Sequence, residues 1–345
     1  MARGLKVLLT TGTVTSARLM AERLPEGAIH QFVPVDRPAW VRRFLDHWRP
    51  DLVLWAESDF WPNLLAGVKG RGVPLILVQG RVSPRSLAGW KKAPGFIATI
   101  LGCFNLCLGQ TPGDAERLRR LGGRDCRSVG NLKQSVPPLP CDHAELERLR
   151  QQLGGRPLWL AASTHPGEEA AVARVHQRLR RCFSGLVTVI VPRHPNRGPE
   201  VQTEMRAMGE ASTLRSAGAA IGEGIHVADT MGELGLFYRL APIVFMGKSL
   251  CVEGGQNPFE PARLGAAVLF GPRMSNFPDM VPSMLDAEAA ELVADEAGLA
   301  EAVGRLLADP GHLARRRAAA LAWSEAEAGA LDAVMATLAP WLEEL

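Results

Sequence analysis

Charged and polar side chains follow several apolar, strand-like segments in the second half of the chain. The polar segments that follow them are Ser163-Thr-His-Pro-Gly-Glu168, Pro192-Arg-His-Pro195, Gly247-Lys-Ser249 and Gly254-Gly-Gln-Asn-Pro-Phe-Glu-Pro261. Each one alone could be a helix cap or a turn, but turns need Gly, Pro, Asn or Asp and do not need arginine, histidine, lysine or glutamate. Four such segments in one region therefore predict a site for a polar, anionic ligand.

The residue types in these segments correspond to the parts of a nucleotide. Arg193 and helix N-termini are suited to a phosphate, whereas Glu260 would repel a phosphate and is suited to a pair of sugar hydroxyls. Gly254 and Gly255 let the backbone approach a ligand closely. Neither a GxGxxG at the first strand–helix turn of either half nor a GxxxxGK[ST] is present. The absence of both motifs argues against a dehydrogenase and against a phosphate-loop nucleotide-binding protein.

Glu57 is the candidate for acid–base or electrostatic work in the first half of the chain. It directly follows the apolar segment 51–56, and a carboxylate at the carboxyl end of a buried strand faces the ligand edge of an open α/β sheet. Asp59, two residues later, could do no more than cap the next helix. Lys133, in Gly130-Asn-Leu-Lys133, could reach the same site.

A basic cluster lies between these two positions. Its members are Arg81, Ser83, Arg85 and Ser86, followed by Lys91 and Lys92. The cluster is either a solvated loop or a subsite for an anionic acceptor, and the second reading makes its first four residues candidate acceptor-binding residues.

Apolar segments that alternate with amphipathic segments must position these residues. Strands that are apolar on both faces and separated by helices indicate parallel sheets covered on both sides. The pattern stops at the proline cluster 136–140 and then restarts, so we predict an α/β protein with two Rossmann-like domains facing a cleft. The predicted parts are a first domain 1–135, a linker 136–150, a second domain 151–325 and a C-terminal helix 326–345 that packs back on the first domain.

Composition excludes several classes of protein. The chain has 345 residues with 47% hydrophobic and 22% charged residues, which excludes a disordered chain. A net charge of +3 gives no reason to expect nucleic acid as a partner. The six cysteines show no metal-ligand spacing and suggest a reducing compartment. No apolar run approaches the ~18–20 residues that span a bilayer.

The ordered motifs of the whole chain resemble one family. They are Glu57-Ser-Asp-Phe-Trp-Pro-Asn63, Arg81-Val-Ser-Pro-Arg-Ser86, Gly130-Asn-Leu-Lys133, Pro192-Arg-His-Pro195, Asp229-Thr-Met-Gly-Glu-Leu-Gly235 and Gly254-Gly-Gln-Asn-Pro-Phe-Glu-Pro261. In order and spacing they resemble the 3-deoxy-D-manno-octulosonic acid (Kdo) transferases of lipopolysaccharide synthesis. The likeness covers nearly the whole chain.

The resemblance implies a GT-B glycosyltransferase that moves Kdo from CMP-Kdo to the lipid A precursor, lipid IVA. It places the protein peripherally at the cytoplasmic face of the inner membrane and implies no metal or other cofactor. Glu57 and Lys133 match the family's transition-state stabilisers. The family's CMP contacts fall on Pro192, Arg193, Met231, Gly232, Glu233, Asn257, Pro258, Phe259 and Glu260.

The chain also departs from the family pattern. Members usually begin with a membrane-anchoring helix, a first strand and a Gly-Glu loop whose glutamate is the general base. This sequence opens at what would be the second strand, so we expect a first domain without its first strand and anchor, and no general base in this chain. Gln256 stands where His is usual.

Different readings of that departure remain open. The start is truncated or misassigned, or the protein binds CMP-Kdo or acceptor with impaired catalysis. A third reading is a related sugar-nucleotide transferase or epimerase of the same fold.

Overall fold

The computed structural model describes residues 4–345, and its internal contacts divide the chain into two units. The first unit comprises the residues up to Ser135 together with Gly329–Leu345, and the second unit is Val136–Ala328. Parallel strands and helices build both units, which confirms the predicted α/β class.

The first unit contains six strands and seven helices in its described part. The strands are β1 Leu8–Thr11, β2 Ile29–Phe32, β3 Val53–Ala56, β4 Leu75–Gly80, β5 Leu106–Gly109 and β6 Cys126–Ser128. The helices are α1 Val14–Arg23, α2 Pro38–Trp48, α3 Pro62–Lys69, α4 Pro84–Trp90, α5 Pro94–Leu101, α6 Pro112–Arg120 and, after the second unit, α15 Ala330–Glu343.

The strands of the first unit form two separate parallel sheets. One sheet is the pair β1–β2, and the other has the order β3-β4-β5-β6. Strands β4 and β5 are buried on both faces because helices cover both sides of the four-stranded sheet. On one face, Val334 and Leu338 of α15 pack with Ile76 and Leu106.

The second unit contains seven strands and eight helices. The strands are β7 Leu158–Thr164, β8 Val187–Pro192, β9 Ser212–Leu214, β10 Gly224–Val227, β11 Ile243–Met246, β12 Ala267–Phe270 and β13 Ala290–Leu292. The helices are α7 His143–Leu153, α8 Glu168–Leu179, α9 Gly198–Ala207, α10 Leu234–Leu240, α11 Phe259–Arg263, α12 Met280–Asp286, α13 Glu296–Ala308 and α14 Pro310–Ala328.

All seven strands of the second unit belong to one parallel sheet, in the order β13-β12-β11-β7-β8-β10-β9. The order reverses direction between β7 and β11, and the central strands are completely buried. In an open parallel sheet this reversal places the ligand-binding loops at the carboxyl ends of the central strands. The segments predicted to bind a nucleotide follow β7, β8, β10 and β11.

The structure corrects one detail of the sequence-based prediction. The second half of the predicted linker 136–150 is wrong, because α7 begins at His143 and buries Leu146 and Leu149 in the core of the second unit.

Candidate active site

Backbone hydrogen bonds join the polar loops at the carboxyl edge of the second unit's sheet. The amide of Arg193 donates to the carbonyl of Thr164 over 3.0 Å, and the amide of Gly247 donates to Ala162 over 2.8 Å. The amide of Gly255 donates to the carbonyl of Lys248 over 2.7 Å. The loops after β7, β8 and β11 and the glycine pair therefore form one continuous surface.

Arg193 presents a free guanidinium at this edge. The residue is exposed, and its side chain makes no hydrogen bond or ion pair with any residue from 4 to 345. Pro192, just before it, is buried at the end of β8 and pairs in register with Thr164. A rigid strand end therefore holds a cation that no protein carboxylate neutralises, as a phosphate site requires.

Glu260 carries an unsatisfied acceptor. It lies in α11, and its Oε2 atom is buried with no hydrogen-bond partner in the described part of the chain. Burial raises the pKa of this carboxyl above its usual range, while the nearby charge of Arg263 opposes the rise. A buried carboxylate oxygen without a donor is destabilising unless a ligand supplies one, and a sugar hydroxyl is such a donor.

The other residues of the Glu260 segment differ in exposure. Asn257 is exposed, and its Oδ1 accepts the amide N–H of Phe259 over 3.1 Å. Pro258 and Phe259 are buried, and the Phe259 ring packs edge-on against Trp323 with centroids 5.9 Å apart. Phe259 therefore anchors α11 in the core, and Asn257 is the residue of the three that solvent reaches.

The segment Met231–Glu233 follows β10. Met231 is exposed, and Gly232 has a φ of 82°, which favours glycine. The side chain of Glu233 is already occupied: its Oε1 lies 2.6 Å from Nη2 of Arg215, and Thr230 donates to its Oε2. Hydrogen bonds from Arg215 hold the pKa of Glu233 below its usual range. This leaves the backbone of the segment, rather than the glutamate side chain, open to a ligand.

Glu168 is a residue at this edge whose role sequence reasoning missed. It is fully buried, and its carboxylate accepts four backbone N–H groups: those of His165 at 3.0 Å, Lys248 at 2.6 Å, Ser249 at 2.9 Å and Leu250 at 3.1 Å. Glu168 thereby joins the loop after β7 to the loop after β11. The sequence signal was an acid at the start of a helix, but only the pairing of β7 with β11 shows what that acid binds.

Glu57 and Lys133 meet in the first unit, 76 positions apart in the chain. Oε1 of Glu57 lies 2.8 Å from Nζ of Lys133, although the two side chains are 53% and 70% exposed. Surface ion pairs of this kind typically contribute only ~0–1 kcal/mol to stability. Glu57 also has a φ of 67°, a conformation that disfavours residues other than glycine. The pair therefore adds little to stability, and the strained backbone at Glu57 is of a kind that concentrates at functional sites.

Gln79 is the second residue that the sequence did not reveal. It is buried at the end of β4 with a φ of 60°, its Nε2 donates to Oδ1 of Asn131, and its Oε1 accepts the amide N–H of Leu132 over 3.0 Å. It therefore fixes the loop that carries Lys133. A lone amide in the apolar run Leu75–Gly80 was the available signal.

The basic loop after β4 combines a cap with free cations. Ser83 caps α4, because its hydroxyl accepts the amide N–H of Ser86 over 3.0 Å and lies 2.9 Å from the Ser86 hydroxyl. Arg81 and Arg85 are exposed, and their side chains have no ion-pair partner among residues 4–345. The structure thus gives the two serines a local role and leaves the two arginines free.

Two other features are absent from the described part of the chain, a metal-binding cluster and a membrane-spanning helix. No group of three or more His, Cys, Asp or Glu side chains there could hold a metal ion. No helix between residues 4 and 345 is long and apolar enough to cross a membrane.

The fold belongs to the class of GT-B glycosyltransferases and related epimerases. UDP-GlcNAc 2-epimerase from Neisseria meningitidis superposes with a TM-score of 0.63 at 13% identity, covering 97% of this chain and 91% of that one. The C-terminal CMP-Kdo binding domain of WaaA from Acinetobacter baumannii matches at 31% identity with a TM-score of 0.50, covering 52% of this chain and 96% of that domain.

Sequence comparison gives the family. The family model described as 3-Deoxy-D-manno-octulosonic-acid transferase (kdotransferase) matches residues 1–136. The 3-deoxy-D-manno-octulosonic acid transferase of Bordetella pertussis is 34% identical, covering 99% of this chain and 82% of that protein. The chain belongs to the 3-deoxy-D-manno-octulosonic acid transferase family.

Several family members are longer than the part that matches. The transferase of Rickettsia felis is 32% identical over 83% of this chain, and the match spans 62% of its own length.

Proposed function

We propose that the protein transfers Kdo from CMP-Kdo to a lipid A precursor in lipopolysaccharide biosynthesis. The observation that carries the proposal is the carboxyl edge of the second unit. There, among residues 4–345, Arg193 is a cation without a partner and Glu260 an acceptor without a donor. A nucleoside monophosphate supplies a partner for both groups. The family relationship supports Kdo as the transferred sugar.

Each CMP contact has a distinct chemical role. Arg193 binds the phosphate, and Glu260 accepts hydrogen bonds from the ribose hydroxyls. Asn257 and the backbone of residues 231–233 are exposed, and they supply the further contacts to the base and the phosphate. Pro192, Pro258 and Phe259 act by positioning, since all three are buried.

The transfer step separates charge that the first unit can stabilise. An acceptor hydroxyl oxygen forms a bond to the anomeric carbon of Kdo while the bond from that carbon to the CMP phosphate oxygen breaks. CMP leaves with the electron pair, and the hydroxyl proton passes to a base, which we leave unassigned. Glu57 stabilises the positive charge that develops at the anomeric carbon, and Lys133 stabilises the departing phosphate. No metal takes part in this scheme.

An exposed surface of the first unit supports an anionic acceptor at the cytoplasmic face of the inner membrane. Arg81, Arg85, Lys91 and Lys92 are exposed there, and their side chains have no ion-pair partner in the described part of the chain. Beside them, the rings of Trp90 and Phe96 stack with centroids 6.3 Å apart. Lipid phosphates attract such cations, and aromatic rings favour the membrane–water interface.

Nucleotide binding tests the proposed function directly. Calorimetry with CMP, UMP and UDP should show binding of CMP well above that of the two uridine nucleotides. Binding of UDP without CMP would contradict the proposal and favour a related enzyme that uses UDP-sugars.

Vesicle binding tests the membrane part separately. The double variant Lys91→Glu/Lys92→Glu should lose binding to phosphatidylglycerol vesicles in a sedimentation assay, whereas it should bind CMP normally. A matched variant, Arg181→Glu/Arg206→Glu, changes two exposed cations of the second unit by the same charge and should retain vesicle binding. Equal behaviour of the two variants would remove the membrane role from this surface.

A further inference from the structure

Lys248 is a second cation without a partner at the carboxyl edge of the second unit. It follows β11, is partly buried, and has no carboxylate within ion-pair distance among residues 4–345. Its Nζ lies beside Gly254, since a Cβ atom added to Gly254 would be 3.2 Å from that Nζ. The ammonium therefore lies beside the glycine pair, at the same edge as Arg193.

The backbone at Lys248 is held in an unfavourable conformation. Its φ is 57°, and Ser163, at the end of the neighbouring strand β7, has a φ of 56°. Such conformations persist in residues other than glycine only where the surroundings enforce them, and they concentrate at functional sites. Glu168 holds the backbone of Lys248 in this conformation, because its carboxylate accepts hydrogen bonds from the amide N–H groups of Lys248 and Ser249. Those bonds occupy the Glu168 carboxylate.

Three further polar side chains lie in the same loop cluster. Nε2 of Gln256 is 3.2 Å from Nε2 of His165, and the ring of His194 lies edge-on to His165 with centroids 6.3 Å apart. Burial lowers the pKa of His165, and the charges of Lys248 and His194 add to the effect against the opposing Glu168 carboxylate. Lys248 is the residue of this cluster that carries an amino group, beside an amide and two imidazole rings.

The number of unpaired cations matches the charges of one class of ligand. A CMP ester of a 2-keto sugar acid carries two anionic groups on the anomeric carbon, the phosphate ester and a carboxylate. Arg193 accounts for the phosphate, which leaves one anionic group and one cation. A neutral sugar would leave the Lys248 ammonium partly buried without a counter-charge, which is unfavourable.

We propose that Lys248, flanked by His165 and Gln256, forms the subsite for the carboxylate of the acidic sugar in the donor. This inference rests on the proposed function and deepens it, because it names the feature by which an acidic sugar is distinguished from a neutral one. Glu168 acts as a positioning residue that sets the backbone of the subsite.

The test compares the affinity of CMP with that of CMP-Kdo, each measured by calorimetry on the protein and its variants. Lys248→Met removes the charge and keeps an unbranched side chain, and it should weaken CMP-Kdo by about tenfold or more while CMP changes by less than about twofold. Lys248→Arg should retain most of the CMP-Kdo affinity. Arg206→Met removes an exposed cation of the same unit and should change neither affinity.

Lys248→Gly excludes misfolding as the cause of any loss. Glycine adopts a positive φ without strain, so this variant should melt no lower than the unmodified protein and should still lose CMP-Kdo affinity. An equal loss of affinity for CMP and CMP-Kdo in the Lys248 variants would overturn the inference, because Lys248 would then contact the nucleotide. Unchanged affinity for both would also overturn it, because Lys248 would then lie outside the site. Failure of the unmodified protein to bind CMP would instead sink the proposed function.

Discussion

The two units differ in how completely their sheets are formed. Every residue of β7, β8 and β11 in the second unit is buried, whereas no residue of β1, β2 or β3 in the first unit is. Leu9 of β1 and Leu54 of β3 remain 39% and 46% exposed. The first unit divides its strands between two sheets, and the second unit joins all of its strands in one. The residues proposed to bind the nucleotide phosphate thus follow a fully buried strand, whereas Glu57 follows the partly exposed strand β3.

Hydrogen exchange should show the largest difference between the units. Backbone amides of β7, β8 and β11 should exchange at least ~10³-fold more slowly than those of β1 and β3, because few buried apolar contacts hold the latter strands. Mass spectrometry of peptic fragments measures this directly. Equal protection in both sets of strands would break the comparison.

Removal of the Glu57 charge should separate catalysis from binding. Glu57→Gln is expected to reduce Kdo transfer by ~10²–10³-fold, the typical cost of losing one electrostatic group that acts in the transition state. CMP affinity should not change, because all of the proposed nucleotide contacts belong to the second unit. Rates from radiolabelled acceptor and CMP calorimetry on the same sample check both parts.

Lys69→Met provides the control for work on the ion pair. Lys69 is an exposed cation at the end of α3 in the same unit, outside the loops that carry Glu57 and Lys133. Its replacement should leave transfer unchanged, whereas Lys133→Met should slow transfer as Glu57→Gln does. Similar rates in the two lysine variants would remove the pair from the mechanism.

Replacement of Arg193 in the second unit should weaken CMP binding, whereas replacement of Glu57 should leave CMP binding unchanged. Arg193→Ala should weaken CMP by ~10–100-fold, since a hydrogen bond to a charged group contributes about 1.5–3 kcal/mol. The melting temperature should not fall, because the guanidinium has no protein partner from residue 4 onward. Unchanged CMP affinity would take Arg193 out of the donor site.

Glu260 should show a smaller, mixed effect. Its pKa is raised by burial in the folded protein, so the unfolded chain releases this proton at lower pH and the group reduces stability as pH rises. Glu260→Gln should therefore raise the melting temperature at neutral pH, and the gain should vanish below the ordinary glutamate pKa. The same variant should weaken CMP several-fold. A lower melting temperature at neutral pH would contradict this account of the buried carboxyl.

The sequence was most informative about candidate site residues whose proposed role depends only on their charge and their position in the chain. Arg193 and Glu57 directly follow apolar strands, and Glu260 lies in the first turn of a helix. Position plus charge was enough to predict all three as site candidates. The roles of Glu168 and Gln79 escaped prediction because each contacts a loop far away in sequence, 80 residues on for Glu168 and Lys248. Ser83 has a local role that residue type did not reveal, since its hydroxyl caps α4. Its predicted acceptor-binding role stays a prediction.

Short edge elements escaped prediction for a different reason. Strands β6, β9 and β13 have three residues each, too few to establish an alternation of buried and exposed positions. Their pairing with a longer neighbouring strand defines them, and that neighbour is fixed only by the tertiary fold.

The mass of the acceptor lipid after incubation with CMP-Kdo tests the central claim most directly. The protein, mixed with lipid IVA and CMP-Kdo, should yield lipid whose mass has increased by whole Kdo residues, together with free CMP. Glu57→Gln should abolish the shift while it still binds CMP, and the mass will also count the Kdo residues added. Unmodified lipid from a folded protein that binds CMP would contradict the claim and leave a nucleotide-binding member of the family without transfer activity.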